Sequence, residues 1–88
     1  MNKTFYFYSK PEKKKSRLSI AGVYNPESGL IKIGLAQCNQ KDIFIKKFGR
    51  MIAEKRAVKH PIVETFINEG ENPGVEFVNI CRQLAYTE

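Results

Sequence analysis

Phenylalanine and tyrosine side chains alternate over residues 5–8, near the start of the chain. In residues 3–9, period two places Phe5 and Phe7 on one side of an extended backbone and Tyr6 and Tyr8 on the other. Aromatic residues fit a pleated, half-buried surface. The pattern therefore predicts a first β-strand.

Two further alternating segments flank a turn of the sequence Asn-Pro-Glu-Ser-Gly. Pro26 presets the φ angle of a turn, and Gly29 can adopt a positive φ at little cost, which indicates a β-hairpin. If Asn25 and Leu30 close the loop, the larger apolar residues share one face with Gly22: Leu18, Ile20, Tyr24, Ile31, Ile33 and Leu35. A register shift of one residue would mix the two faces, so the apolar pattern favours this pairing.

The period changes to that of a helix at Asn39, which can act as the N-cap with Asp42 at the third helical position. A main helix is predicted over residues 40–59, because the residue before Pro61 is disfavoured in a helix. Its apolar stripe, expected to pack on the sheet, consists of Phe44, Ile45, Phe48, Met51 and Ile52.

The C-terminal part, residues 62–86, is predicted to be helical. Its first segment, residues 62–69, is ambiguous because its apolar spacing fits a short helix while its β-branched content would also allow a strand; the helix is favoured. Asn72 followed by Pro73 can start a last helix that runs to about Tyr86. The apolar residues of that helix are Val75, Phe77, Val78, Ile80, Cys81 and Leu84.

These elements predict an α+β fold in a single domain spanning residues 1–88. A three-stranded antiparallel N-terminal sheet, within residues 3–36, is followed by one long helix and one or two shorter C-terminal helices. All helices are expected on one sheet face. The other face is small and polar, and is expected to stay open to water or to a partner: Ser19, Ala21, Gly34 and Ala36.

Charge is distributed unevenly along the 88 residues, whose net charge is +6. Residues 1–59 hold fourteen of the fifteen lysines and arginines against four acidic residues, which gives +10. Residues 60–88 hold one arginine against five glutamates, which gives −4. An asymmetry of this kind indicates a basic working surface and an anionic partner, although a basic surface also serves solubility alone.

The sequence offers little for catalysis, so we expect a binding protein and not an enzyme. His60 is the only histidine, and Cys38 and Cys81 stand far apart with no CxxC motif. We therefore expect no catalytic residue, no metal and no cofactor. No segment has the apolar length of a signal peptide or a membrane span, and we expect two unpaired thiols in a cytoplasmic protein.

The leading hypothesis is a small accessory nucleic-acid-binding protein with mainly electrostatic contacts of weak sequence specificity. Phosphate contacts are expected from the basic loop 10–17 and from the main helix: Lys13, Lys14, Lys15, Arg17, Lys46, Lys47 and Arg50. Tyr6 and Tyr8 are candidates for stacking on bases, although alternating aromatics also stabilise sheets.

The alternative is a protein-interaction or dimerisation module, an adaptor or inhibitor whose partner is an acidic protein surface or a second copy in a homodimer. It would use the open sheet face or the ridge formed by Gly49, Ala53 and Ala57. A glycine inside a helix costs about 1 kcal/mol relative to alanine, so something is expected to approach this ridge closely. Packing within the chain is the competing interpretation.

Overall fold

The computed structural model describes residues 2–9, 17–38 and 46–86, with the backbone alone of Cys38, Lys46 and Tyr86. Within this part the chain forms four strands and two helices: β1 Lys3–Tyr8, β2 Arg17–Asn25, β3 Leu30–Cys38, α1 Lys46–Lys59, β4 Val63–Phe66 and α2 Pro73–Tyr86. The strands form one antiparallel sheet in the order β1-β2-β3-β4. The predicted α+β class with an N-terminal antiparallel sheet is confirmed.

The predicted hairpin has the register that the apolar pattern requires. Asn25 pairs with Leu30, and Tyr24 pairs with Ile31. Gly29 has a φ of 78°, and its N–H donates to the carbonyl oxygen of Asn25 at 2.8 Å. The side chain of Asn25 also accepts a hydrogen bond from the N–H of Glu27 at 2.9 Å, which holds the turn.

The preference for a helix in residues 62–69 was wrong, because Val63–Phe66 forms a fourth strand on the outer edge of β3. Val63 pairs with Ile33, and Phe66 pairs with Leu30. A short β-branched segment takes the conformation that a neighbour offers, and β3 presents an unpaired edge. The described chain therefore has two helices of 14 residues each, not a long helix followed by shorter ones.

Helix α2 covers the sheet face that carries the large apolar side chains. Phe77 and Cys81 of α2 are buried with Ile20, Ile31 and Ile33 in the main core. The rings of Phe5 and Phe77 stack with centroids 5.7 Å apart. The helix begins as predicted, since the side chain of Asn72 accepts hydrogen bonds from the N–H groups of Gly74 and Val75 at 2.9 and 3.3 Å.

Helix α1 lies on the opposite face, so the expectation that all helices share one face was wrong. The face that was expected to stay open is covered by the small ridge of α1, with Ala21, Ala36 and Ala53 buried together. A Cβ atom built on Gly34 would overlap the backbone of Ala53 and Ala57. Small residues on both surfaces allow the backbone of α1 to approach the sheet closely, and this explains why glycine occupies positions 34 and 49.

The predicted apolar stripe of α1 consequently points away from the sheet. Phe48, Met51 and Ile52 are 57%, 58% and 45% exposed, whereas Ala53 and Ala57 are fully buried. The remaining stripe residues, Phe44 and Ile45, and the predicted N-cap at Asn39 lie outside the described residues. The helix ends at Lys59, as predicted from His60 and Pro61.

Burial of the Cys81 thiol predicts a loss of stability in alkaline solution. Desolvation raises its pKa from 9.0 to about 12. The unfolded chain therefore loses this proton first, and stability that is present below pH 9 is lost as the pH rises toward 12. At pH 10 the thiol should contribute a loss of about 1.4 kcal/mol.

Urea unfolding of the wild type and of Cys81→Ala at pH 8 and pH 10 would measure this loss. The alanine variant is less stable at both pH values. Its free energy of unfolding should, however, fall less between pH 8 and pH 10 than that of the wild type, by about 1.4 kcal/mol. An equal decrease in the two proteins would contradict the assignment. Cys81 is not in a disulfide in the described structure, whereas the unpaired state of Cys38 stays a prediction.

Candidate nucleic-acid interface

The facing ends of β1 and β2 are tied together around Ser9. The N–H of Ser9 donates to the carbonyl oxygen of Leu18 at 3.0 Å, and the N–H of Leu18 donates to Oγ of Ser9 at 2.8 Å. Nε of Arg17 donates to the carbonyl oxygen of Ser9 at 3.1 Å. The lysine-rich segment 10–16 joins Ser9 to Arg17, so both of its attachment points are held at this end of the sheet.

The first turns of α1 lie over the same end. Gly49 packs against the side chain of Ser19, whose Cβ is 2.9 Å from the position a Gly49 Cβ would take. Ser19 pairs with Tyr8 of β1, two residues from Arg17. The predicted basic residues of α1, from Lys46 to Arg50, are thus brought next to the strand ends from which the basic loop starts.

A contact between β1 and α1 joins a residue predicted to stack on bases, Tyr6, to a residue predicted to bind phosphate, Arg50. The guanidinium carbon of Arg50 lies 5.3 Å from the centroid of the Tyr6 ring, which is cation–π geometry. The hydroxyl of Tyr6 donates to Oε2 of Glu54 at 3.0 Å. Arg50 and Glu54 are one helical turn apart, so α1 holds both the ring and its hydroxyl.

The environment of Tyr6 keeps its phenol protonated. Desolvation, followed by the hydrogen bond to Glu54, raises the pKa of Tyr6 above its usual value of 10.0. The phenol therefore remains a neutral hydrogen-bond donor at neutral pH. One ring face is occupied by Arg50, and 40% of the residue remains exposed.

The structure brings together part of the predicted phosphate-binding set. Lys47 and Arg50 are exposed on α1, and Arg17 is half-buried at the strand end. Tyr8 is half-buried on the same side of β1 as Tyr6. Lys13, Lys14 and Lys15 lie outside the described residues, and only the backbone of Lys46 is described.

Sequence reasoning missed Glu54, which positions Tyr6 through its hydroxyl. The spacing of Arg50 and Glu54 places them on one flank of the helix, but nothing in the sequence says that β1 lies beside that flank. It also missed the outward direction of Phe48, Met51 and Ile52. The complementary small residues of the sheet and of α1 were visible and could have indicated their contact.

Comparison with protein-family models, with curated proteins and with solved structures found no match to this chain. Neither α1 nor α2 has the length and apolar content needed to cross a bilayer. Within the described residues, no three His, Cys, Asp or Glu side chains form a group that could hold a metal ion.

Proposed function

We propose that this protein is an accessory nucleic-acid-binding protein that acts in the cytoplasm through the edge formed by β1 and α1. We call this surface the β1–α1 edge, and its described members are Tyr6, Tyr8, Arg17, Lys47 and Arg50. The observation that carries the proposal is the packing of Arg50 on Tyr6. This contact brings the basic residues of α1 next to the aromatic residues of β1, which are more than forty residues apart in the sequence.

Stacking on Tyr6 prepares Arg50 for a phosphate contact. The guanidinium group is planar, and when one of its faces lies on an aromatic ring its N–H donors still point outward in the plane. A guanidinium held in this way loses less side-chain entropy on binding than a mobile lysine does. Its donors match two phosphate oxygens with bidentate geometry.

The contacts available at this edge favour backbone recognition over base reading. Lysine and arginine contacts to phosphate fix position without sequence information. The exposed part of Tyr6 adds one surface on which a base of a single strand can stack, which is tolerant of sequence. We therefore expect weak sequence preference and a strong dependence of affinity on salt.

Fluorescence polarisation with labelled single-stranded and double-stranded DNA and RNA would test the proposal. Binding should be saturable at about 50 mM salt and should weaken steeply at about 200 mM, because each neutralised phosphate releases counterions. The proposal is refuted if none of the four nucleic acids shows salt-sensitive binding.

Replacing Glu54 by glutamine should strengthen binding about twofold. The change removes a negative charge one helical turn from Arg50 at a partly exposed site, where one charge interaction contributes about 0.5 kcal/mol, while the amide oxygen can still accept from Tyr6. Polarisation titrations at low salt measure the difference. Glu27→Gln is the matched control, because Glu27 lies in the hairpin turn, at the opposite end of β2 from Arg17.

A second candidate function is protein interaction, and it is favoured by the exposed apolar residues of α1. The two surfaces that the sequence suggested for it are packed against each other inside the chain: the small sheet face and the ridge Gly49, Ala53 and Ala57. Phe48, Met51 and Ile52 provide a different surface. If the polarisation titrations fail, this surface gives the better account of the protein.

A further inference from the structure

A groove of about 550 Å³ runs between β4 and α2, on the opposite side of the sheet from α1. Helix α2 packs closest over β1 and β2, and this leaves the outer part of the sheet face beside β4 uncovered. The strand wall includes Val63, Thr65 and Ile67, and the helix wall is formed by Glu76, Asn79, Ile80 and Gln83. Apolar residues thus lie next to polar ones along one open channel.

The strand wall of this groove is the edge of the sheet. β4 is the last strand in the order, so no described strand pairs with its outer side. The N–H of Ile67 donates to the carbonyl oxygen of Gly29 at 2.8 Å. Because every second residue of an antiparallel strand bonds to its neighbour, this bond identifies the residues of β4 that bond to β3. Residues 63, 65 and 67 direct their backbone groups to β3, and the N–H and C=O groups of Glu64 and Phe66 consequently point outward.

The charge around the groove is opposite to that of the rest of the protein. Glu71 and Glu76 line the groove, and no lysine or arginine is among its described lining residues. A basic segment is therefore attracted to this side, whereas the phosphates of a nucleic acid are repelled. The same negative charge opposes the glutamate-rich segment of a second copy.

We propose that the groove between β4 and α2 binds an extended basic segment of a partner protein by strand addition. The segment pairs with the outward N–H and C=O groups of Glu64 and Phe66. Its alternate apolar side chains enter the groove beside Val63 and Ile80, and its basic side chains lie near Glu71 and Glu76. An edge strand beside a helix groove supplies both requirements of this binding mode: backbone hydrogen bonds for affinity and pockets for alternate side chains.

A capped seven-residue peptide that alternates lysine and valine would test this inference by NMR titration. Saturable shifts should appear for amides of β4 and α2 at peptide concentrations below about 1 mM. Hydrogen exchange at the amides of Glu64 and Phe66 should slow on binding, because both N–H groups gain acceptors. Exchange at Gly70, in the following turn, should not change.

A pair of variants at Phe66 separates the backbone from the side chain. Phe66→Pro removes the outward N–H and keeps the bonds to β3, as edge strands tolerate proline at such positions. Phe66→Ala keeps the N–H and removes the 67% exposed side chain, which alternates onto the α1 side of the sheet. The proline variant should bind the peptide about threefold to tenfold more weakly than the alanine variant.

The contribution of charge is tested with Glu76→Gln at two salt concentrations. This variant should bind the lysine peptide about twofold to threefold more weakly than the wild type at low salt, and the difference should disappear at about 1 M salt. A peptide that alternates glutamate and valine should not bind.

Three results would overturn the inference: no saturable shifts at about 1 mM peptide, shifts confined to other surfaces, or equal binding by the two Phe66 variants. If Phe66→Pro does not fold, the exchange rates of Glu64 and Phe66 in the wild type decide alone. None of these readouts involves nucleic acid, so failure here leaves the proposed function of the β1–α1 edge standing.

Discussion

Replacement of Gly34 by alanine is expected to lower the free energy of unfolding by about 3 kcal/mol. The new Cβ would overlap Ala53 and Ala57, and the overlapping atoms belong to the backbone of α1, which cannot change rotamer. Alanine is ordinarily better than glycine in a strand by about 0.5 to 1 kcal/mol, and this gain is too small to offset the displacement of a helix. Urea unfolding followed by circular dichroism measures the change.

Gly49 provides the matched control, because its close neighbour is a side chain. Gly49→Ala should also destabilise the protein, despite the better helix propensity of alanine, through overlap with the side chain of Ser19. Ser19→Gly should rescue Gly49→Ala in a double-mutant cycle and should leave Gly34→Ala unrescued. A wild-type free energy of unfolding for Gly34→Ala would mean that α1 does not lie on this sheet face.

The double replacement Lys47→Ala and Arg50→Ala is expected to reduce affinity for duplex DNA roughly fiftyfold near 0.1 M salt. The slope of log K against log salt is negative, and losing two phosphate contacts should reduce its magnitude by about 1.8, because each contact contributes about 0.9. Both positions are exposed on α1, so the free energy of unfolding should change little. Polarisation titrations at several salt concentrations give the slope.

The matched control is Lys55→Ala with Lys59→Ala, which removes the same charge from the same helix. These lysines lie on the other flank of α1, where Nη1 of Arg56 donates to the carbonyl oxygen of Leu35 on β3 at 2.9 Å. The two double variants then have the same net charge. If binding is specific to the β1–α1 edge, the loss of affinity should be much larger for the Lys47 and Arg50 pair than for the Lys55 and Lys59 pair. Equal effects would indicate non-specific attraction and would contradict the β1–α1 edge.

Much of the candidate site could be named from the sequence, because charge and aromatic character are local properties. Tyr6, Lys47 and Arg50 were all candidates, and the structure places Tyr6 and Arg50 in contact. Their arrangement could not be predicted, since it depends on which flank of α1 faces β1. The groove beside β4 was equally invisible, because β4 itself was expected to be helical.

The sequence by itself determined the elements whose signals are local. Asn25 to Leu30 specify a turn, and alternation on both sides of it allows only one register that keeps the large apolar residues together. Pro61 ends α1, and Asn72 caps α2, because each acts through the backbone of its immediate neighbours.

Only the tertiary structure decided which surfaces meet. The apolar stripe of α1 predicts one docking side, but the close fit of Ala53 and Ala57 on Gly34 turns the helix so that the stripe faces solvent. Residues 63–66 become a strand because β3 has an edge to pair with, which a pattern of four residues cannot reveal. The first outcome depends on the shape of the sheet face, and the second on the unpaired backbone groups of β3. Both are formed by residues distant in the sequence and exist only after the chain has folded.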